Sequence, residues 1–322
     1  MAFTAYPLKF YPILKERIWG GQKLAKLLNK GLSGNQIGES WEISTVANDV
    51  SIIMHGEYAS ESLSELISKF PKEVLGTHVH DKFGQQFPLL FKFIDAMDDL
   101  SIQVHPNDAL AKARHNSFGK TEMWYVLQAD ADAKIIVGFK EKSAPEEYVK
   151  HLHDKSLLSI LNQTAAAPGD AFFLETGTIH AIRGGILLAE IQQTSDITYR
   201  VYDWDRVDGD GKSRELHVDL ALDAITFDKT DSRRHYQKEA NSANTIVDCQ
   251  YFTTNFISLS REMTFSKRGN SFTVLMCVDG EYTLYHKSCT YRFVKGESIL
   301  IPAAMRNYSI NGNATILEIY IS

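Results

Sequence analysis

The chain has 322 residues, 44% apolar and 23% charged, enough for one or two sizeable cores, which excludes disorder over its whole length. Lysine and arginine total 34 against 40 aspartates and glutamates, a formal charge of 34 − 40 = −6 with no basic run, so nucleic acid and anionic membrane surfaces are poor partners. No apolar stretch reaches the ~20 residues of a membrane span, and the first residues lack the charged-then-apolar order of a signal peptide, so a soluble cytoplasmic protein is expected.

Short apolar runs broken by Gly, Asp, Asn and Pro dominate, the pattern of a mainly β fold. In chain order, residues 62–70 carry apolar positions three to four apart and predict a helix. Strands are expected at 89–95, 122–128 and 134–138. A helix is expected over 145–161, opened by Ser143-Ala144-Pro145-Glu146-Glu147. Strands follow at 171–174 and 185–192, and a third helix at 217–227. The polar stretch 229–244 is the best boundary and separates a unit 1–232 from a unit 245–322. The second unit has strands expected at 256–260, 273–278, 281–286, 298–302 and 314–321. Its Cys249, Cys277 and Cys289 form no CxxC pair, so reduced thiols are expected and any metal falls to histidine and oxygen ligands.

The two units share a faint repeat. Trp124-Tyr125-Val126-Leu127-Gln128-Ala129 matches Leu275-Met276-Cys277-Val278-Asp279-Gly280 at an offset of 275 − 124 = 151. The run from Gly169 to His180 matches that from Gly296 to Asn307 at an offset of 296 − 169 = 127. The difference is about the size of the helical stretch near 143–163. The spacing Gly-x5-(Pro/Glu)-x-(Gly/Ala)-x-x-(His/Asn) resembles the second motif of the cupin barrels, whose histidine is a metal ligand. Two cupin-like (jelly-roll) β-barrels are therefore expected, the first with a small helical insert. The second is expected to be metal-free, with Asn307 in the place of His180.

Side chains two apart on a strand share a face. Ser101, Gln103 and His105 then point together, as do Lys120, Glu122 and Trp124. Gln103, His105, Glu122 and His180 make an N2O2 set suited to zinc. Arg200 offers a fork for a phosphate or a developing oxyanion, and Lys120 a cation beside Glu122. A pair such as His78 and His80 has no carboxylate at the right spacing, and no Gly-rich nucleotide loop is present.

Taken together these segments resemble the type I phosphomannose isomerases. The matching text is Leu89-Leu90-Phe91-Lys92, Leu100-Ser101-Ile102-Gln103-Val104-His105-Pro106, Lys120-Thr121-Glu122-Met123-Trp124, Gly177-Thr178-Ile179-His180-Ala181 and the run from Glu190 to Arg200, with Trp19-Gly20 and Glu39-Ser40-Trp41-Glu42 upstream. The resemblance implies one Zn2+ per chain on Gln103, His105, Glu122 and His180, and Arg200 as the catalytic arginine. It also implies interconversion of mannose 6-phosphate and fructose 6-phosphate. For that reaction Glu190 or Lys120 is a candidate base, and Lys92, Lys120, Arg200 or Arg206 is expected to meet the phosphate, with Ser101 adding a hydrogen bond. Two departures stand out: the helical insert is small, and Glu175 replaces the usual proline of the barrel motif. A non-catalytic sugar-phosphate-binding cupin and a cupin-type iron oxygenase are the alternatives. Gln103 as an additional ligand counts against the oxygenase, which needs open metal positions for oxygen.

Overall fold

The computed structural model describes residues 2–31, 36–207 and 210–322. The fold is mainly β, with short helices and, among the described residues, none long and apolar enough to cross a membrane. A central seven-stranded sheet runs in the order Arg233–Arg234, Ala171–Leu174, Glu122–Ala129, Ile186–Gln193, Leu89–Ala96, Ile13–Gly21, Ile37–Ile43. A five-stranded sheet runs Leu161–Ala165, Lys134–Phe139, His180–Ile182, Ile102–Val104, Tyr199–Tyr202. The C-terminal sheet of eight strands is built around Thr273–His286 and Asn307–Tyr320. These sheets are open, with distinct edge strands, and are not closed barrels.

Strand alternation explains the layering. In the central sheet Phe91, Phe93, Met123, Leu187, Ala189 and Ile191 share one core with Val274, Met276, Leu317 and Ile319 of the C-terminal sheet. Their neighbours one residue along, Ile94, Trp124, Val126, Ile186 and Leu188, share another core with Ile135, Val137 and Ile182 of the five-stranded sheet. The central sheet is thus covered on both faces, and the C-terminal sheet has a further core on its far side around Leu275, Ile299 and Ile316. The strand Leu8–Lys9 crosses over to pair with the C-terminal sheet, Leu8 lying opposite Leu300.

The repeat seen in the sequence occupies equivalent hairpins. Trp124 lies opposite Phe172, and Leu275 opposite Ile299. Gly169 N donates to Val126 O and Gly296 N to Cys277 O, both at 2.8 Å. Val126 N donates to Asp170 O and Cys277 N to Glu297 O, both at 2.9 Å. The two glycines have φ of 85° and 89°, which only glycine adopts without strain.

The helix expected at 62–70 is Leu63–Lys69, started by a capping box between Ser62 and Glu65. The one expected at 145–161 stops at His153. Lys155 turns left-handed, with φ 53°, and the chain continues as a short turn Leu157–Ser159 and the strand Leu161–Ala165. Leu157 and Leu161 are buried by that turn and strand, so their helical spacing was coincidental. Of 217–227 only Val218–Leu222 is helical. Helices not foreseen are Lys23–Leu28, Pro71–Leu75, Thr77–Phe83, which carries His78 and His80, and Asp108–His115. The strands expected at 273–278 and 281–286 form one strand, Thr273–His286, with a register shift between Cys277 and Asp279.

Because one core joins the central and C-terminal sheets, Leu187→Ala should cost about 2–5 kcal/mol and denaturant unfolding should show a single transition. Two separated transitions would show that the sheets are not coupled.

Candidate active site

The functional side chains come from the faces that the two N-terminal sheets turn towards each other. In the central sheet Glu190 lies opposite both Lys92 and Trp124, and Gln192 opposite Glu122. In the five-stranded sheet Gln103 lies between His180 and Arg200. Between the sheets is a cavity of about 530 Å³ lined by, among others, Arg17, Glu39, Trp41, Lys92, Ser101, Gln103, Lys120, Trp124, His180, Glu190, Arg200, Arg214 and His217.

Beside this cavity the ligating atoms of His105, Glu122 and His180 lie within 4.8 Å of one another, and all three residues are buried. Glu122 Oε1 is 3.4 Å from His105 Nε2, and Glu122 Oε2 is 3.5 Å from His180 Nε2. The Gln103 amide is 3.3 Å from His180 Nε2. Each imidazole meets a backbone carbonyl through Nδ1, His105 that of Ile197 at 2.8 Å and His180 that of Thr178 at 2.7 Å. Donation there puts the proton on Nδ1 and turns the Nε2 lone pair inwards, the tautomer used by metal-bound histidine.

Charge follows from burial and neighbours. Burial works against the Glu122 carboxylate, but Lys120 and His105 hold its pKa well below the usual range. Burial, together with Lys120, pushes His105 down to about 4, and burial lowers His180 as well. An ionised carboxylate and two neutral imidazoles therefore face one another, and Glu122 Oε2 is buried without a hydrogen-bond partner. Lys120 donates to Glu122 Oε1 and lies 3.2 Å from His105 Nε2. Converging acceptors with an unpartnered carboxylate oxygen fit a divalent cation of borderline softness.

The Lys120 backbone is clamped from both sides. Gly119 N donates to Asp108 Oδ1 at 2.8 Å and Thr121 N to Gln193 Oε1 at 2.9 Å. Gln193 Nε2 in turn donates to Asp108 Oδ1 at 3.0 Å, and Tyr251 of the C-terminal unit to Asp108 Oδ2 at 2.6 Å. A second buried network faces the cavity. Lys92 donates to Glu190 Oε2 at 2.9 Å and Gln192 Oε1 at 2.7 Å, and Trp124 Nε1 to Glu190 Oε1 at 2.9 Å. Burial disfavours the Lys92 ammonium, yet Glu190 and Glu39 outweigh it and raise its pKa.

All the residues singled out in the sequence reach this region except Arg206, which donates to Asp99 O at 2.5 Å and does not line the cavity. Ser101 Oγ is 3.5 Å from Gln103 Oε1. Unforeseen cavity residues are Arg17 and Glu39, an ion pair at 3.0 Å, Arg214, paired with Asp203, and His217. Glu39 and Trp41 share strand parity, with Trp41 Nε1 donating to Glu39 Oε2 at 2.6 Å, and that signal was readable. Arg214 and His217 come from a loop and carry no periodic signal.

Residues 8–135 match the family model of phosphomannose isomerase type I, catalytic domain, and residues 242–321 that of mannose-6-phosphate isomerase, cupin domain. The mannose-6-phosphate isomerase ManA of Bacillus subtilis is 36% identical to this chain, over 97% of this chain and 98% of that protein. That of Streptococcus mutans is 33% identical over the same shares. The crystal structure of the mannose 6-phosphate isomerase from Bacillus subtilis is similar with a TM-score of 0.91 at 32% identity, covering 99% of this chain and 100% of that one.

In metal-free protein, His105 stays neutral while folded but takes up a proton from pH 6.5 downwards when unfolded. Its contribution is complete above about pH 6.5 and is lost as the pH falls towards about 4, by ~3 kcal/mol. Urea unfolding across that window should show wild type losing stability relative to His105→Asn; a constant difference would contradict the assignment.

Proposed function

Because the chain belongs to the type I phosphomannose isomerase family, we propose that it interconverts D-mannose 6-phosphate and D-fructose 6-phosphate in the cavity between the two N-terminal sheets. One zinc ion per chain is held by Gln103, His105, Glu122 and His180. The observation that carries the metal assignment is the buried, unpartnered Glu122 Oε2 facing the His180 Nε2 lone pair. The fold reading belongs to the same proposal: residues 1–232 form a cupin-like catalytic unit and 245–322 a second, metal-free one, in which Asn307 stands where the first has His180. The unpaired cysteines suit a reducing cytoplasm.

The reaction moves one hydrogen between C1 and C2 of the open-chain sugar. When bound, zinc supplies Lewis-acid polarisation of the substrate oxygens. Glu190 serves as the base: Lys92 and Trp124 grip its two oxygens, so the carboxylate is held in one orientation towards the sugar. It takes the proton from C2 and returns it to C1 by way of an enediolate, while the O2 hydroxyl proton passes to O1, so that C1 ends as an alcohol and C2 as a ketone. Lys120 and Arg200 donate to the oxygens on which charge develops. Arg17, Lys92, Lys120 and Arg214 are each paired with a carboxylate, whereas the Arg200 guanidinium is held by the Glu215 carbonyl at 2.9 Å. Its charge is therefore available to the anionic substrate, with Ser101 adding a hydroxyl and Lys92 a positive field.

A coupled assay for fructose 6-phosphate formed from mannose 6-phosphate should lose its signal on chelation and regain it with zinc. His180→Ala and Glu122→Gln should lose metal and activity together. A folded, zinc-loaded protein without isomerisation would overturn the proposal, and full metal content in these variants would remove them from the ligand set.

Glu190→Gln should keep its zinc while kcat falls about 10²–10⁴-fold, and wild-type turnover in deuterated water should place label on the sugar at C1 or C2. A product free of label would replace the proton route by a hydride shift.

A further inference from the structure

The strand Tyr199–Tyr202 is the edge of the five-stranded sheet. One side of it pairs with Ile102–Val104, with Arg200 opposite Gln103. Backbone groups on the outer side of an edge strand need other partners. The segment from Glu215 to His217 supplies them, and it does so at Arg200 alone of the cavity cations. His217 N donates to the Arg200 carbonyl at 2.7 Å. Arg200 N donates to His217 Nδ1 at 3.1 Å. The Glu215 carbonyl accepts from Arg200 Nη1 at 2.9 Å. One short segment thus holds the amide, the carbonyl and the guanidinium of the same arginine.

The His217 ring is itself fixed. Since Nδ1 accepts, the proton sits on Nε2, which lies 4.0 Å from the Glu215 carboxylate, beyond hydrogen-bond range. Tyr199 packs beside the ring at 6.3 Å between centroids, and its hydroxyl is held by His115 Nε2 at 2.8 Å. The ring also lines the cavity.

We infer that His217 is a positioning residue for the isomerisation: its imidazole stands in for the missing neighbour strand at Arg200 and so sets where the guanidinium meets the sugar phosphate. This inference rests on the reading of Arg200 as the substrate-facing cation. A guanidinium displaced by about 1 Å loses on the order of 10²-fold in rate.

Steady-state kinetics with mannose 6-phosphate, with zinc content measured alongside, test it on His217→Ala, His217→Asn, Arg200→Ala and the double variant of His217→Ala with Arg200→Ala. The alanine variant should retain zinc and lose about 10–10²-fold in kcat/KM. Asparagine, whose Oδ1 can accept the Arg200 amide, should recover most of that loss. In the Arg200→Ala background, His217→Ala should cost nothing further, since a residue acting through Arg200 has nothing left to position. Should the alanine variant unfold, His217→Leu, which keeps bulk without an acceptor, is read in its place. A loss that is fully additive, or an asparagine variant as poor as alanine, would overturn the inference while leaving the Arg200 reading intact. An unchanged rate in Arg200→Ala would overturn that reading instead.

Discussion

In the strand Ile186–Gln193, Leu187, Ala189 and Ile191 turn towards the C-terminal sheet, while Glu190 and Gln192 turn towards the cavity. The flanking strands do the same, Phe91 and Phe93 against Lys92, and Met123 against Glu122 and Trp124. The site depends on this alternation in a sheet covered on both faces. The apolar face fixes the register, because a slip of one residue would put Ala189 or Ile191 in the place of Glu190 and a phenylalanine in that of Lys92. Catalytic geometry is thereby tied to ordinary hydrophobic packing one layer away.

Such a sheet forces charges into the interior, where an isolated ion is costly and a paired one is tolerated. The result is a set of interlocked pairs: Glu122 with Lys120, Glu190 with Lys92, Glu39 with Arg17. Glu122 is the exception in having one oxygen without a donor. In the first two pairs, the residues that neutralise one another in the free protein are the ones proposed to meet zinc and sugar. Gly119, next to Lys120, is further tied, through Asp108 and Tyr251, to the C-terminal unit. That unit therefore reaches the site through both a packed core and a hydrogen-bonded chain.

Much of this was legible where strand parity operates within a short stretch. Gln103, Lys120 and Glu122 could be read from the spacing of neighbours, and the repeat in the sequence reappears as matching hairpins with matching hydrogen bonds. Parity is silent on what the edges of sheets meet. Arg214 and His217 reach the cavity from a loop, and no pattern in their own segment marks them. The helix expected over 145–161 ends early, at His153, for a related reason: apolar residues four apart can be buried equally by a turn and a strand. Sheet closure is also invisible to local pattern, and the open sheets follow from long-range pairing.

The pairing of Leu8 with Leu300 has a consequence for synthesis of the chain. During translation the strand Leu8–Lys9 emerges long before its partner, Ser298–Ile301, since 300 − 8 = 292 positions separate Leu8 from Leu300. Until that partner is made its backbone groups lack their ladder, and the apolar face of the central sheet likewise waits for Val274 and Leu317. Contacts this distant in sequence slow folding and expose apolar surface meanwhile. The N-terminal sheets can therefore assemble first, and the strands Thr273–His286, Ser298–Ile301 and Asn307–Tyr320 then seal their back, so late-made segments complete a core that early-made ones began.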